Sequence, residues 1–272
     1  MPIVMQTEIV KNERVAPEHY LMQFVSPEMT EEAKPGQFVH IRIGSGWDPL
    51  LRRPISLHRW DRKTGVVTLL YRVVGRGTRL LAAMKPGEQL DVMGPLGRGF
   101  DLTVAGSHPV VVGGGIGVAP LLALVEELSA QGAQVTILIG ARTRELALGV
   151  ETFQATGSEV EVVTEDGSLG HAGLVTERLR QLVAEKTVSS IYTCGPVPML
   201  KEVQRLSMTH RIPLQVAVEE HMGCGVGACL TCVCKVKRAN TPEDHAPDRG
   251  WDYALVCTEG PVFRGEEVSF DD

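Results

Sequence analysis

The run Cys224-Gly-Val-Gly-Ala-Cys229-Leu-Thr-Cys232, completed by Cys257 after a long gap, constrains this chain more than any other feature. Gly223, Gly225 and Gly227 let the backbone wrap tightly and turn its amides toward an anionic centre. C-x4-C-x2-C with one distant cysteine is the ligand spacing of plant-type [2Fe–2S] loops. A structural zinc site or a pair of disulfides would also use four cysteines. Zinc loops more often pair two short gaps, and Cys257 stands alone. Cys234 lies two residues after Cys232, so strand alternation would point both the same way, but the four-cysteine set is complete without it.

Composition excludes several function classes. A formal net charge of −6 and the lack of any Lys/Arg run argue against a nucleic-acid partner, and 5% aromatic content offers no stacking platform. No stretch approaches the roughly 18 uninterrupted apolar residues of a membrane span, so no membrane association is expected. The first residues lack the basic and apolar regions of a signal peptide. Six cysteines then suggest a reducing compartment with thiols used for metal or redox chemistry, and a cytoplasmic location is expected.

Three territories follow one another. In residues 1–105, short β-patterned runs (20–25, 37–43 and 66–74) are punctuated by Pro35-Gly36, Pro86-Gly87 and Gly94-Pro95, which predicts a small antiparallel β-barrel. In residues 106–216, an apolar strand from 110 that runs into a glycine turn, and apolar strands at 134–140, 159–164 and 190–194, alternate with helices at 121–130, 175–184 and 198–208. That alternation predicts a parallel-sheet α/β domain. Residues 217–272 form the cysteine segment, with a polar insertion at 238–250.

Gly113-Gly114-Gly115-Ile-Gly117 sits where a strand passes into a helix, so its backbone can approach a pyrophosphate at a helix N-terminus. It lacks the third glycine of G-x-G-x-x-G, and a tight strand–helix turn without a ligand is the plainer reading. Two further strand ends favour a nucleotide: Thr164-Glu-Asp166-Gly-Ser168 and Cys194-Gly195-Pro196-Val-Pro-Met199. All three turns would meet at the carboxyl edge of one parallel sheet, the usual ligand edge. NAD is therefore expected at Gly113, Gly114, Gly115, Gly117, Asp166, Gly195 and Pro196, with the polarizable Cys194 thiol packing on the nicotinamide side. Arg142 and Arg144, after the second strand of this region, are placed to meet a 2′-phosphate or to be solvated.

In the barrel, Arg52-Arg53-Pro54-Ile55-Ser56 offers guanidinium groups suited to a cofactor diphosphate and a hydroxyl suited to a flavin ring. With R-P-x-S, G-G-G-x-G-x-x-P, C-G-P-x-P-M, M-G-C-G-x-G-A-C-x-x-C and C-x-x-G-P-V-F in this order, the chain resembles, over nearly its whole length, the electron-transfer subunits of NAD-dependent dihydroorotate dehydrogenase. These are iron–sulfur flavoproteins of the ferredoxin–NADP reductase superfamily. The resemblance implies FAD held by Arg53, Pro54, Ile55 and Ser56, by Leu70, Tyr71 and Arg72, and by Gly77 and Thr78. It implies a [2Fe–2S] cluster on Cys224, Cys229, Cys232 and Cys257.

The resemblance further implies a catalytic dihydroorotate dehydrogenase subunit with its own flavin, in a heterotetramer holding two copies of each chain, serving pyrimidine biosynthesis. Met222, Val226 and Leu230 beside the cysteines would lie under that interface. Two other readings stay open at this level. One is a ferredoxin- or polysulfide-linked NAD(P)H oxidoreductase subunit; the other is a non-catalytic nucleotide-sensing module with a zinc tail. No nucleophile or general acid–base constellation is evident, and His58, His171 and His221 are expected at the surface or in packing.

Overall fold

The computed structural model describes residues 3–44, 46, 48–237 and 251–270, so the polar insertion at 238–250 lies outside the described residues. The first strands are β1 (Ile3–Ala16), β2 (His19–Val25), β3 (Phe38–Arg42), β4 (Arg53–Asp61), β5 (Val66–Arg72) and β6 (Gln89–Leu96). They close an antiparallel barrel in the order β1-β2-β5-β4-β3-β6. Two short helices, α1 (Pro27–Glu32) and α2 (Arg76–Ala83), cover its ends. The barrel fills itself by strand alternation: Leu90 and Val92 of β6, Ile55 and Leu57 of β4, and Val67, Leu69 and Tyr71 of β5 share one apolar core.

Two features of this half depart from the expected pattern. β1 is a corner strand, pairing β6 through residues 3–8 and β2 through residues 9–16, with register shifts after Ile9 and Arg14. Most of it is exposed or half-buried, so no apolar alternation announces it. Gly94-Pro95, expected as a turn, lies inside β6. There the β3–β6 ladder shifts register between Phe38 and His40, and proline, which has no N–H to donate, is tolerated at such a bulge.

The second half holds β7 (Pro109–Gly114), α3 (Leu121–Ala130), β8 (Thr136–Ala141), α4 (Val150–Gln154), β9 (Glu159–Thr164), β10 (His171–Ala172), α5 (Val175–Glu185), β11 (Ser190–Cys194), α6 (Val197–His210) and β12 (Leu214–Ala217). The cysteine segment adds β13 (Val233–Val236), β14 (Asp252–Leu255), β15 (Val262–Arg264) and β16 (Val268–Ser269). A seven-stranded sheet runs β10-β9-β8-β7-β11-β12-β15, parallel except for β15, which pairs antiparallel with β12. β14-β13-β16 form a small antiparallel sheet.

Among the described residues, the cysteine segment packs into the core of the sheet region. Cys232, Cys234, Val236, Val256 and Cys257 join Val203, Leu206, Leu214 and Val216 in a single apolar cluster on one face of the large sheet. The segment's described residues thus supply an edge strand and part of the core to the α/β region.

α3 holds barrel and sheet together. Nδ1 of the buried His58 on β4 lies 2.7 Å from the Ala119 carbonyl just before α3, and Arg59 Nε reaches Glu126 Oε1 at 2.9 Å. Burial pushes His58 down to about 4, partly opposed by the Ala119 bond. Unfolded, the ring takes a proton near its ordinary value of 6.5, so the unfolded chain binds the extra proton first. Stability is complete above that value and declines as pH falls from 6.5 toward about 4. Replacing His58 by glutamine is expected to flatten this acid limb by about 2 kcal/mol between about pH 7 and 5, read from urea unfolding at each pH. An unchanged slope would remove His58 from the acid response.

Candidate functional site

The cysteine loop leaves Ala217 at the end of β12 and returns into β13. Cys224 Sγ accepts N–H groups from Val226 (3.4 Å), Ala228 (3.3 Å) and Cys229 (3.4 Å). Cys229 is exposed; hydrogen bonds from Thr231, and then from Cys224, lower its thiol to about 6. Cys232 and Cys257 are buried, and the Cys257 N–H donates to Cys232 Sγ at 3.4 Å. Burial, followed by its contact with Cys232, raises Cys257 to about 12, a preference for the neutral thiol that a bound cation would reverse.

Cys224 lies against Cys229 and Cys232 against Cys257, with Cys224 also near Cys257. Among the described residues no three His, Cys, Asp or Glu side chains converge as ligands for one ion. These four thiols would offer the ligand set of a [2Fe–2S] centre, which supplies one-electron transfer. Cys234 sits on β13 opposite Ala254, inside the apolar core, where burial raises its thiol to about 12.

In the barrel, the adjacent arginines divide their work. Arg52 Nη1 pairs with Asp91 Oδ1 at 2.7 Å and donates to the His40 carbonyl at 3.3 Å, which ties β4 to β3 and β6. Arg53 turns the other way and lies over the first turn of α2. A Cβ added to Gly77 would meet Arg53 Nε first and come within 2.7 Å of Cζ. The α2 N-terminus has no side-chain cap, so a guanidinium and unpaired backbone N–H groups share one place, a fitting cradle for a diphosphate.

Thr78 shapes that cradle from inside, because its Oγ1 accepts from Val74 N at 2.9 Å and Gly75 N at 3.2 Å. Asn12 holds the other end of α2, donating to the Leu81 and Met84 carbonyls at 2.9 and 2.8 Å while accepting from Tyr71 Oη at 3.0 Å. Pro54 and Ser56 are half-buried. The side chains of Ile55 and Tyr71, expected at the flavin, point into the barrel core, so only their backbones can face a cofactor. Strand alternation then turns Leu70 and Arg72 the opposite way, toward the sheet domain.

A cleft of 980 Å³ opens between Arg72 and the carboxyl edge of the sheet. Gly114, Gly115, Gly117, Gly195 and Pro196 line it, and so do Arg142, Glu165 and Glu219. Gly117 abuts the Cys194 carbonyl, so the glycine turn and the end of β11 are in backbone contact. One wall carries Glu202, held down to about 2 by Arg205 and then Arg180; Arg205 Nε and Nη2 reach it at 2.8 and 2.7 Å, and Arg180 Nη2 at 2.6 Å.

Three expected residues stand off the cleft surface. The Cys194 side chain is buried in the core, where desolvation raises its thiol, and it turns only its backbone toward Gly117. Asp166 is spent on a local turn, accepting from Ser168 N at 3.0 Å and Ser168 Oγ at 2.6 Å. Gly113 is closed in by Val118 and Leu121. Arg142 lines the cleft, whereas Arg144 Nε donates to the Ser168 carbonyl at 3.0 Å.

The sequence reading missed Glu219 and His40. Glu219 is an acidic residue just beyond an apolar strand, open to solvent yet flanked by protein that raises its carboxyl. His40 interrupts the apolar β3 and is driven down to about 4, chiefly by burial.

Residues 219–269 match the family model described as the iron–sulfur cluster binding domain of dihydroorotate dehydrogenase B, and residues 111–205 match the oxidoreductase NAD-binding domain. The chain is 42% identical over 271 residues to the dihydroorotate dehydrogenase B (NAD(+)) electron transfer subunit of Desulforamulus reducens, covering 100% of both chains. The subunit of the same name from Bacillus caldolyticus is 42% identical over 262 residues, 95% of this chain and 96% of that one. A solved NADH-dependent reduced ferredoxin–NADP oxidoreductase, studied for flavin-based electron bifurcation, superposes with a TM-score of 0.84 at 30% identity. It covers 97% of this chain, which spans 90% of that one.

Proposed function

The chain belongs to the family of dihydroorotate dehydrogenase B electron-transfer subunits, and from that membership we propose how its residues divide the work. It serves pyrimidine biosynthesis as the oxidoreductase subunit that passes electrons from a dihydroorotate-oxidising partner through a [2Fe–2S] centre and FAD to NAD⁺. When bound, the centre supplies one-electron transfer and FAD both one-electron and hydride transfer, which joins single-electron delivery to two-electron reduction of nicotinamide.

Cys224, Cys229, Cys232 and Cys257 hold the centre. Arg53 and the first turn of α2, with Gly77 and Thr78, hold the FAD diphosphate. Pro54, Ser56 and the backbones of Ile55, Leu70 and Tyr71 border the ring, and Arg72 faces the nucleotide cleft. Gly114, Gly115 and Gly117 admit the NAD diphosphate, while Gly195 and Pro196 border the nicotinamide; Gly113 and Cys194 support these turns from below, and Asp166 shapes its own loop. One observation supports this ordering. The cysteine loop rests through Gly225 on His40 of β3, β3 pairs His40 with Pro54 of the flavin strand, and Arg72 shares its cleft with the glycine turn. These contacts support a cluster beside the flavin strand and a nucleotide cleft on the far side of the barrel's β5.

Exposed Val226 and Leu230 beside the cysteines support a partner surface at this end of the chain; the proposed assembly holds two copies of each chain. Six cysteines given to metal or redox chemistry favour a reducing, cytoplasmic place. Among the described residues no helix is long and apolar enough to cross a membrane.

Anaerobic reconstitution with a dihydroorotate-oxidising flavoprotein subunit tests the assignment. The pair is expected to form NADH from dihydroorotate and NAD⁺ and to elute with the mass of two copies of each chain. The isolated chain should oxidise NADH with an artificial acceptor and leave dihydroorotate untouched. Dihydroorotate turnover by the chain alone, or a pair that forms no NADH, would sink the proposal.

For FAD, Arg53→Ala is expected to weaken binding roughly ten- to a hundredfold, about 1.5–3 kcal/mol, through loss of a charge-assisted contact. Flavin fluorescence titration of the apoprotein reads this directly, and an unaltered affinity would place the phosphates elsewhere.

A further inference from the structure

His40 is fully buried, and neither ring nitrogen has a hydrogen-bond partner. Native proteins nearly always avoid leaving both nitrogens of a buried imidazole unpaired, so the residue needs an explanation beyond packing. Its neighbours on β3 sharpen the point. Phe38, Val39 and Ile41 are apolar and buried, and an apolar residue at position 40 would fill the same space without the desolvation cost.

The ring is aimed at the cysteine loop. A Cβ on Gly225 would lie 2.6 Å from His40 Nδ1 and 3.3 Å from Cγ and Cε1, so the loop backbone rides directly on the Nδ1 edge. Gly225 takes φ +74°, a left-handed conformation that brings the backbone this close. Two backbone carbonyls influence the ring without meeting hydrogen-bond geometry: that of Cys224, which precedes Gly225 in the loop, more strongly, and that of Arg52. The other face of the residue is rigid. β3 pairs His40 with Pro54 on one side and Met93 on the other, and Arg52 donates to its carbonyl at 3.3 Å.

We propose that His40 is a positioning residue for the iron–sulfur centre, its Nδ1–H bonding the Cys224 carbonyl when the loop is loaded and so fastening a cluster ligand to the flavin strand. The inference rests on the cysteine ligation proposed above. Cys224 is the ligand whose sulfur already accepts three backbone N–H groups, and a clamp on its carbonyl would fix the remaining freedom of that residue. Groups that orient a metal ligand tune both its retention and its electronic environment.

The test uses the holoprotein with His40→Leu, which fills the volume without a donor, and His40→Asn, whose amide nitrogen stands close to the Nδ1 position. His40→Leu should retain FAD, lose iron to a chelator faster by on the order of tenfold, and change the EPR spectrum of the reduced centre. His40→Asn should restore both retention and spectrum. A leucine variant that matches the native protein in both readouts, or an asparagine variant as perturbed as the leucine one, would overturn the proposal. Failure of the ligand reading would show separately, as native iron content in Cys224→Ser.

Discussion

Replacing Cys229 with serine is expected to strip most of the iron from the protein while FAD stays bound. Dihydroorotate-driven NAD⁺ reduction should fall at least about a hundredfold, with NADH oxidation by artificial acceptors retained. Cys229 is the exposed member of its pair, and hydrogen bonds from Thr231 lower its thiol to about 6, so it is prepared to ligate as thiolate. A serine hydroxyl is a harder donor that stays protonated in the same place, and soft-metal binding suffers accordingly. Cys234→Ser provides the contrast, because that thiol lies in the apolar core opposite Ala254 and should leave iron content near normal. Iron and sulfide assays with visible spectra decide the matter. Loss of iron in Cys234→Ser together with retention in Cys257→Ser would mean that the ligand set is wrong.

The second large effect is expected at Gly117. A Cβ there would lie 2.6 Å from the Cys194 carbonyl carbon and 2.7 Å from Gly195 Cα, and closer still to the Cys194 oxygen. All three atoms are backbone, so no rotamer change can relieve the contact. The ends of β7 and β11 must spread, at a cost of about 1–3 kcal/mol for the overpacking. Because Gly117 and Gly195 both line the nucleotide cleft, Gly117→Val should raise KM for NADH by about tenfold or more, with FAD and iron content unchanged. Steady-state NADH oxidation, with flavin and iron analysis of the same preparation, checks this. A native KM would place the dinucleotide away from the glycine turn.

The same turn shows what local sequence could and could not say. Glycines between an apolar strand and a helix marked a backbone that must approach something closely, and the cleft lies there. Which atoms face it depended on packing across strands. Cys194 and Asp166 belong to the right strand ends, but one thiol is drawn into the core and the other carboxylate is taken by Ser168. Glu219 lines the cleft from just beyond β12, whose apolar pattern gave no functional cue. The two arginines at the start of β4 look alike in sequence, yet Arg52 is spent on Asp91 and only Arg53 reaches the α2 turn.

Sequence by itself determined the features that arise from chain geometry over a few residues. These are the cysteine spacing, the alternation of β7, α3, β8, β9, α5, β11 and α6 (but not the short α4 and β10), and the order of the cofactor motifs, because period and spacing follow from backbone rise and turn chemistry. Tertiary structure alone decided what depends on partners distant in the chain. It brought β15 back to the edge of the large sheet beside β12, merged the cysteine segment with the sheet's core, and set the cluster loop on His40, more than 180 residues earlier. Neighbouring residues carry no record of such pairings. They are selected by the burial of complementary apolar faces and by closure of the backbone hydrogen-bond ladders, which exist only once the chain has folded.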